Sequence, residues 1–148
     1  MKLSPAARSE ATTAQLRDGW WYTGDLAMRD DEGFVWISGR SKDMIKSGTE
    51  NIYPIEVEQV IAGMPGVVEV GVVGVPDEAW GESVAAFVVT APGSQLDSVA
   101  IVAHCREHLA SYKKPRHVVF VEALPRGTTN KVAKDVLRRM WADTNPGA

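Results

Sequence analysis

The fold is best predicted from residues 53–90, which read YPIEVEQVIAGMPGVVEVGVVGVPDEAWGESVAAFVVT. Pro54 stands in the first turn of a helical pattern, a position that proline favours, and apolar residues follow it at helical spacing. Pro65 and Gly66 end this pattern, and two β-rich runs follow at residues 67–75 and 83–90. A helix followed by two strands predicts a small domain in which helices pack on a sheet.

The chain beyond residue 90 continues this alternation. Residues 97–110 predict an amphipathic helix that Asp97 or Ser98 caps. Residues 116–121 predict a third strand, and residues 131–141 a final helix. We therefore predict an α+β fold, with a compact body that stacks sheet and helices in two layers.

Residues 19–40 differ in composition, with adjacent aromatic residues and a run of turn-forming residues that ends at Gly33. They predict a β-hairpin that turns at Gly33. Adjacent aromatic residues on so small an element indicate a surface that a partner covers. We expect Trp20, Trp21 and Trp36 to pack against such a partner, a large domain or a second copy of the chain. Residues 1–18 and 143–148 are expected to be a mobile lead-in and tail.

Composition narrows the class of protein. The chain has 148 residues, 16 basic and 19 acidic, with a net charge of -3, so its overall charge gives no reason to expect nucleic acid or an anionic membrane as a partner. Its apolar runs are shorter than the roughly 20 residues that span a bilayer, and the first residues have no apolar signal core. A cytoplasmic protein without a membrane span is predicted.

Cysteine and histidine usage argues against a metal centre. Cys105 is the only cysteine, which excludes a disulfide framework within the chain, and it falls on the apolar side of the predicted helix. His104 and His108 form an i, i+4 pair, but the pattern offers no third ligand. We predict no metal site.

Two segments in the first half of the chain carry polar chemistry. Gly24 before Asp25 would let a ligand approach the backbone while the carboxylate accepts hydrogen bonds from a ribose diol, although Gly-Asp is also an ordinary turn. Residues 39–51 are rich in charged and turn-forming residues, which favours either a hinge between rigid bodies or a solvated loop. In that segment Arg40 is placed to hold a phosphate or a ribose.

Two further segments lie in the second half. Residues 124–131 form a loop of small residues that delivers Lys131 to a predicted helix start, where the free N–H groups would add to its charge in binding an anion. Tyr112 and Lys114 belong to a basic cluster beside an aromatic ring, which suits a phosphate or an adenine but is equally common in a bare surface loop.

Taken together, these segments resemble the C-terminal third of the adenylate-forming superfamily, which includes acyl- and aryl-CoA ligases, peptide-synthetase adenylation domains and luciferases. The matching motifs occur in the family's order from about Gly19 to Arg139; they are Tyr22-Thr23-Gly24-Asp25, residues 39–48, 50–58 and 75–82, Tyr112-Lys113-Lys114-Pro115, and Leu124-Pro125-Arg126 with Lys131. The segments around Pro54 and Trp80 are most similar to fatty-acyl and aryl-CoA ligases. The resemblance implies that residues 19–41 are a remnant of a large N-terminal domain and that residues 42–142 are the lid that closes on it.

The resemblance also implies site residues. Asp25 and Arg40 match nucleotide-binding residues, Lys42 the hinge, and Lys131 the lysine that acts while the acyl-adenylate forms. Contacts with CoA are implied for Gly48, Thr49, Trp80, Tyr112 and Lys114. The whole enzyme would use ATP with Mg²⁺, release AMP, and take CoA and a carboxylic acid; this chain alone is expected to bind none of them firmly.

Two residues depart from the family pattern. Thr49 replaces a glycine that lines the pantetheine tunnel, which puts the CoA step in question and keeps transfer to a carrier protein, or adenylation alone, as alternatives. Asn130 replaces the glycine before the catalytic lysine, and asparagine tolerates a left-handed backbone.

Three origins of the chain remain open at this point. It is part of an acyl-CoA synthetase that is inactive without its N-terminal domain, or a separately encoded lid that complements such a domain. The third alternative is a remnant with no activity, or a small regulatory protein that binds AMP or CoA weakly.

Overall fold

A computed structural model describes residues 15–146, apart from the side chain of Arg17. Residues 1–14 and 147–148, where most of the lead-in and the end of the tail were expected, lie outside the described residues. The chain divides into two compact units between Lys42 and Asp43.

The first unit contains two pairs of antiparallel strands. Strand β1 (Leu16–Arg17) pairs with β2 (Trp20–Trp21), and β3 (Asp25–Arg29) pairs with β4 (Val35–Arg40). The β3–β4 turn is closed by Asp30, whose carboxylate accepts a hydrogen bond from the Phe34 N–H at 2.8 Å. The predicted hairpin is therefore present over residues 25–40, while Trp20 and Trp21 belong to a separate small pair of strands.

Large apolar side chains of this unit face solvent. Trp20 is 74% exposed, and Phe34, Val35, Trp36 and Ile37 are also exposed. Ser38 is the exception on β4, because it is buried and its hydroxyl donates to the carbonyl of Leu26 at 3.2 Å.

The second unit is a five-stranded sheet with three helices in its described part. Its elements are β5 (Ile45–Ser47), β6 (Glu50–Ile52), α1 (Pro54–Ala62), β7 (Val67–Asp77), β8 (Gly81–Thr90), α2 (Ser98–His108), β9 (His117–Phe120) and α3 (Lys134–Thr144). Along the sheet the strands lie in the order β6, β5, β8, β7, and β9 pairs with β8 in parallel. The remaining pairings are antiparallel.

Alternation along the long strands creates two cores. Val72 and Val84 face a cluster that contains buried residues of α1 and α2, whereas Val73 and Phe87 face a cluster that contains Leu137 of α3. The α+β class is confirmed. Because helices cover both faces of the sheet, the body has one layer more than the two that the sequence predicted.

Several local predictions are confirmed in detail. Helix α1 begins at Pro54, and α2 is capped by Asp97, whose carboxylate accepts a hydrogen bond from the Ala100 N–H at 2.8 Å. Cys105 is fully buried, and burial raises the pKa of its thiol to about 11. No helix within residues 15–146 is both long and apolar enough to cross a membrane.

Two local predictions need correction. Residues 45–51 belong to the segment that was predicted to be a hinge or a solvated loop, but together with Ile52 they form the β5–β6 hairpin. Ile45 and Ile52 face each other in register and are fully buried. Helix α3 begins at Lys134 rather than at Lys131. Before it, the N–H of Ala133 donates to the carbonyl of Pro125, and an isolated bridge joins Arg126 to Val132, so the chain is held as a turn.

Candidate functional site

In the first unit, Asp25 and Arg40 are cross-strand partners at the open end of the β3–β4 hairpin. The Arg40 Nε lies 3.3 Å from one carboxylate oxygen of Asp25. The Asp25 N–H is bound to the Thr23 hydroxyl at 3.1 Å, and Gly24, with a φ of 75°, turns the chain just before the strand. The structure thus brings together the two residues that were predicted to hold a nucleotide, and places a guanidinium beside a carboxylate that can accept hydroxyl hydrogen bonds.

Lys42 lies in a single 3₁₀ turn, Ser41–Asp43, at the division between the two units. Its side chain is exposed. The residue that follows is attached to the second unit, because the Asp43 carboxylate lies 3.6 Å from the Arg138 guanidinium on α3.

Gly48 and Trp80 meet although they lie on different hairpins. The Gly48 N–H donates to the Trp80 carbonyl at 2.7 Å, and a Cβ on Gly48 would lie 3.0 Å from the Cε3 of that indole. Gly48 also has a φ of 62°, a left-handed conformation that glycine adopts without cost. Both the turn geometry and the close approach of the indole therefore require glycine here.

The Trp80 turn is held by a charged pair. One carboxylate oxygen of Asp77 accepts the N–H groups of Ala79 and Trp80 at 3.0 and 3.1 Å, and the other lies 3.4 Å from Arg116. Desolvation would raise the pKa of Asp77, but these two backbone hydrogen bonds and the Arg116 charge lower it below its ordinary value. The Arg116 guanidinium in turn lies 5.6 Å from the centre of the Trp80 ring, within cation–π range.

A cleft of about 320 Å³ opens beside this turn. It is lined by Ser47, Thr49, Glu50, Trp80, Ser83, Val84, Ser111, Tyr112, Lys114 and Arg116. Four of the five residues that were predicted to contact CoA therefore lie on one cleft, and the fifth, Gly48, lies against the Trp80 ring.

The two lysines of the basic cluster have different roles. Lys113 binds the Glu56 carboxylate of α1 at 2.5 Å, and this hydrogen bond raises the pKa of Lys113 despite some desolvation. Lys114 lines the cleft, and its ammonium donates to the Ser111 carbonyl at 2.9 Å. One lysine therefore fastens the loop to the helix, and the other presents its charge to the cleft.

Lys131 occupies a tight turn rather than a helix start. The Gly127 N–H donates to the Lys131 carbonyl at 2.8 Å, and Asn130 has a left-handed φ of 58°, as its identity at this position predicted. The Lys131 side chain is exposed, and Lys131 is not one of the described residues that line the cleft. The prediction that helix N–H groups would assist Lys131 is wrong, because α3 begins after the turn, at Lys134.

Sequence reasoning missed Arg116 and Asp77 as parts of the site. Arg116 follows Pro115 as a further basic residue of the same cluster, which is a signal that the sequence did offer. The pairing with Asp77 had no such signal, because the two residues are separated by 39 positions in the chain.

Comparison with known proteins gives consistent results. A family model described as AMP-binding enzyme C-terminal domain matches residues 56–131. The long-chain-fatty-acid–CoA ligase FadD13 of Mycobacterium tuberculosis is 50% identical over 139 residues, which are 94% of this chain and 27% of the ligase.

Solved structures agree with this result. ATP-bound MatB from Rhodopseudomonas palustris is 43% identical with a TM-score of 0.83, over 91% of this chain and 27% of that one. The o-succinylbenzoate CoA synthetase of Bacillus subtilis, in complex with the acyl-adenylate intermediate OSB-AMP, is 39% identical with a TM-score of 0.82. The match covers 89% of this chain and 27% of the synthetase. The chain therefore spans about a quarter of the length of the proteins that it matches.

Proposed function

Because the chain belongs to the family of AMP-binding enzyme C-terminal domains, we propose that it is the C-terminal part of an acyl-CoA synthetase. In this reaction a carboxylate oxygen attacks the α-phosphorus of ATP and releases pyrophosphate. The thiol of CoA then attacks the acyl carbon and releases AMP. Mg²⁺ would accompany the ATP that is used in the first step. The observation that carries the proposal is the cleft that Thr49, Trp80, Tyr112 and Lys114 share.

The cleft is suited to the second step. Lys114 and Arg116 bring two positive charges to one opening, where CoA phosphates would bind, and the indole of Trp80 offers a flat apolar surface beside them. Thr49 adds a β-branched side chain on the same cleft. We propose that it narrows the path of the pantetheine arm without closing it.

Lys131 is proposed to act in the first step. Negative charge that grows on oxygen during attack on phosphorus is stabilised by a positioned cation, and this effect is strong where water is excluded. Here the Lys131 side chain is exposed. Its charge gains catalytic value only when another surface covers it, and we propose that this surface belongs to an N-terminal adenylation domain, in the same chain or in a separate one.

Asp25 and Arg40 are proposed to hold the ribose of ATP and AMP, and Lys42 to be the hinge between the two steps. The division of the chain between Lys42 and Asp43 supports the hinge, because rotation at a junction of two compact units disrupts few internal contacts of either. The exposed aromatic side chains of the first unit support burial against the adenylation domain, with a second copy of the chain as the alternative. A cytoplasmic location stays a prediction.

The experiment joins this chain to the N-terminal domain of the M. tuberculosis relative, which shares 50% identity over the matched region. Pyrophosphate release and CoA consumption are measured separately over fatty and aromatic acids. We expect both activities in the joined enzyme and neither in the 148-residue chain alone. The matched control is the same N-terminal domain with its own C-terminal domain.

Each outcome has a defined meaning. Pyrophosphate release without CoA consumption, in a joined enzyme whose control does both, would support the carrier-protein or adenylation-only alternative. Acyl-AMP formation by the chain alone would refute the proposal.

A further inference from the structure

Three side chains with metal-binding atoms lie together on the last turns of α2. His104, Glu107 and His108 offer one ligand atom each, and these atoms all lie within 4.8 Å of one another. The i, i+3, i+4 spacing puts all three on one face of the helix. The histidine pair is visible in the sequence, and Glu107 is a third side chain with a metal-binding atom that the sequence prediction overlooked.

The hydrogen bond of His108 prepares its ring for a metal. Its Nδ1 lies 2.9 Å from the carbonyl oxygen of His104. A carbonyl oxygen only accepts, so Nδ1 donates the proton and the lone pair is left on Nε2. Metal-binding histidines are commonly held in this way, with the second ring nitrogen donating to a carbonyl. The His104 and His108 rings are tilted by 37° to each other, with their centres 4.2 Å apart.

The helix holds these ligands firmly. The opposite face of α2 places Ile101 and Cys105 in the core, where both are fully buried. The Cys105 thiol is fully buried in that core, on the opposite face of the helix, and so is not available as a ligand. Helix α2 ends at His108, and the C-terminal end of a helix favours a positive charge.

We propose that His104, Glu107 and His108 bind one divalent transition-metal ion, zinc being the ion that we would test first. Two imidazole nitrogens and one carboxylate oxygen form a donor set that suits zinc better than magnesium or calcium, which prefer oxygen ligands alone. Glu107 and His108 are exposed and His104 is half-buried, so the ion would enter from solvent and keep water in its remaining coordination positions. The site is separate from the CoA cleft, whose lining contains none of the three residues.

The test is a zinc titration of the 148-residue chain by calorimetry, with cobalt absorption spectra as a second readout. We expect one zinc ion per chain. His104→Gln, Glu107→Gln and His108→Gln should each weaken binding by about tenfold or more, since loss even of a supporting hydrogen bond typically costs 10- to 100-fold. Circular dichroism should show that these exposed-face variants keep the fold.

His117→Phe is the matched control. It removes the remaining histidine while keeping a ring against Trp141, whose ring centre lies 4.5 Å away. Unchanged zinc affinity in this variant supports the site on α2. Three results would each overturn the proposal. They are loss of zinc binding in His117→Phe, a zinc affinity in the three α2 variants equal to that of the parent chain, and no saturable binding to the parent chain at millimolar zinc.

Discussion

Replacement of Gly48 by alanine tests the link between the β5–β6 turn and the cleft that we propose binds CoA. The new methyl group would meet Trp80 at two atoms of one ring, at 3.0 Å from Cε3 and 3.4 Å from Cζ3. The backbone φ of 62° is strained for any residue with a Cβ. The variant should therefore lose stability because its backbone is strained at residue 48, and its added methyl group should displace the indole of Trp80.

The magnitudes follow from these two effects. A left-handed conformation costs an L-residue about 1–2 kcal/mol. The indole of Trp80 is 48% exposed, so it can move toward solvent and the contact adds little to the loss of stability. Movement of the ring disturbs its 5.6 Å contact with Arg116 and the wall of the cleft, so we expect the KM for CoA to rise.

Gly93→Ala is the matched control, because Gly93 has a φ of 78° and a methyl group added there would have no heavy atom within 4 Å. Urea unfolding of the 148-residue chain should show a similar decrease in the free energy of unfolding in both variants. In the joined enzyme, only Gly48→Ala should raise the KM for CoA and shift the indole N–H signal of Trp80. A Gly48→Ala variant as stable as the parent, or equal KM values in the two variants, would refute the reasoning.

Other expected outcomes concern single side chains. In the joined enzyme, Lys131→Ala should slow pyrophosphate release on the order of 100- to 1000-fold and spare thioester formation from supplied acyl-adenylate; equal losses in both steps would contradict this role. Burial lowers the pKa of His117 from 6.5, and the Arg116 charge lowers it further, although the charge of Asp77 opposes them. As the pH falls below about 6.5 the unfolded chain takes up this proton more readily than the folded chain, so the free energy of unfolding should decrease, and less so in His117→Phe. Cys105 should resist a thiol reagent at pH 8 until denaturant is added, because its pKa is about 11 and it is fully buried; rapid labelling of the native chain would show that α2 opens.

Much of the second unit was predictable because its signals are local. The start of α1 at Pro54 and the cap of α2 at Asp97 depend on residues within one helical turn. The β5–β6 hairpin was missed because each strand has only three residues, and the charged side chains between Ile45 and Ile52 masked a pair of fully buried isoleucines. Symmetric placement of those isoleucines about the two-residue turn Gly48–Thr49 was the available signal.

The start of α3 was misplaced for a different reason. Val132 continues the apolar spacing of the helix, yet it is joined to Arg126 in a bridge, and Arg126 also binds Glu69 of β7. Those pairings are made with other segments of the chain. Helical periodicity alone does not report them.

By itself, the sequence determined the α+β class, the types of residue at each candidate position and the order of the motifs, because these depend on composition, spacing and side-chain chemistry. The tertiary structure alone decided that Trp80 rests on Gly48 and that Asp77 and Arg116 hold the Trp80 turn. Both contacts join distant residues through the pairing of β8 with β5, β7 and β9. Such pairings follow from how the whole sheet assembles around its two cores, and no local pattern specifies them.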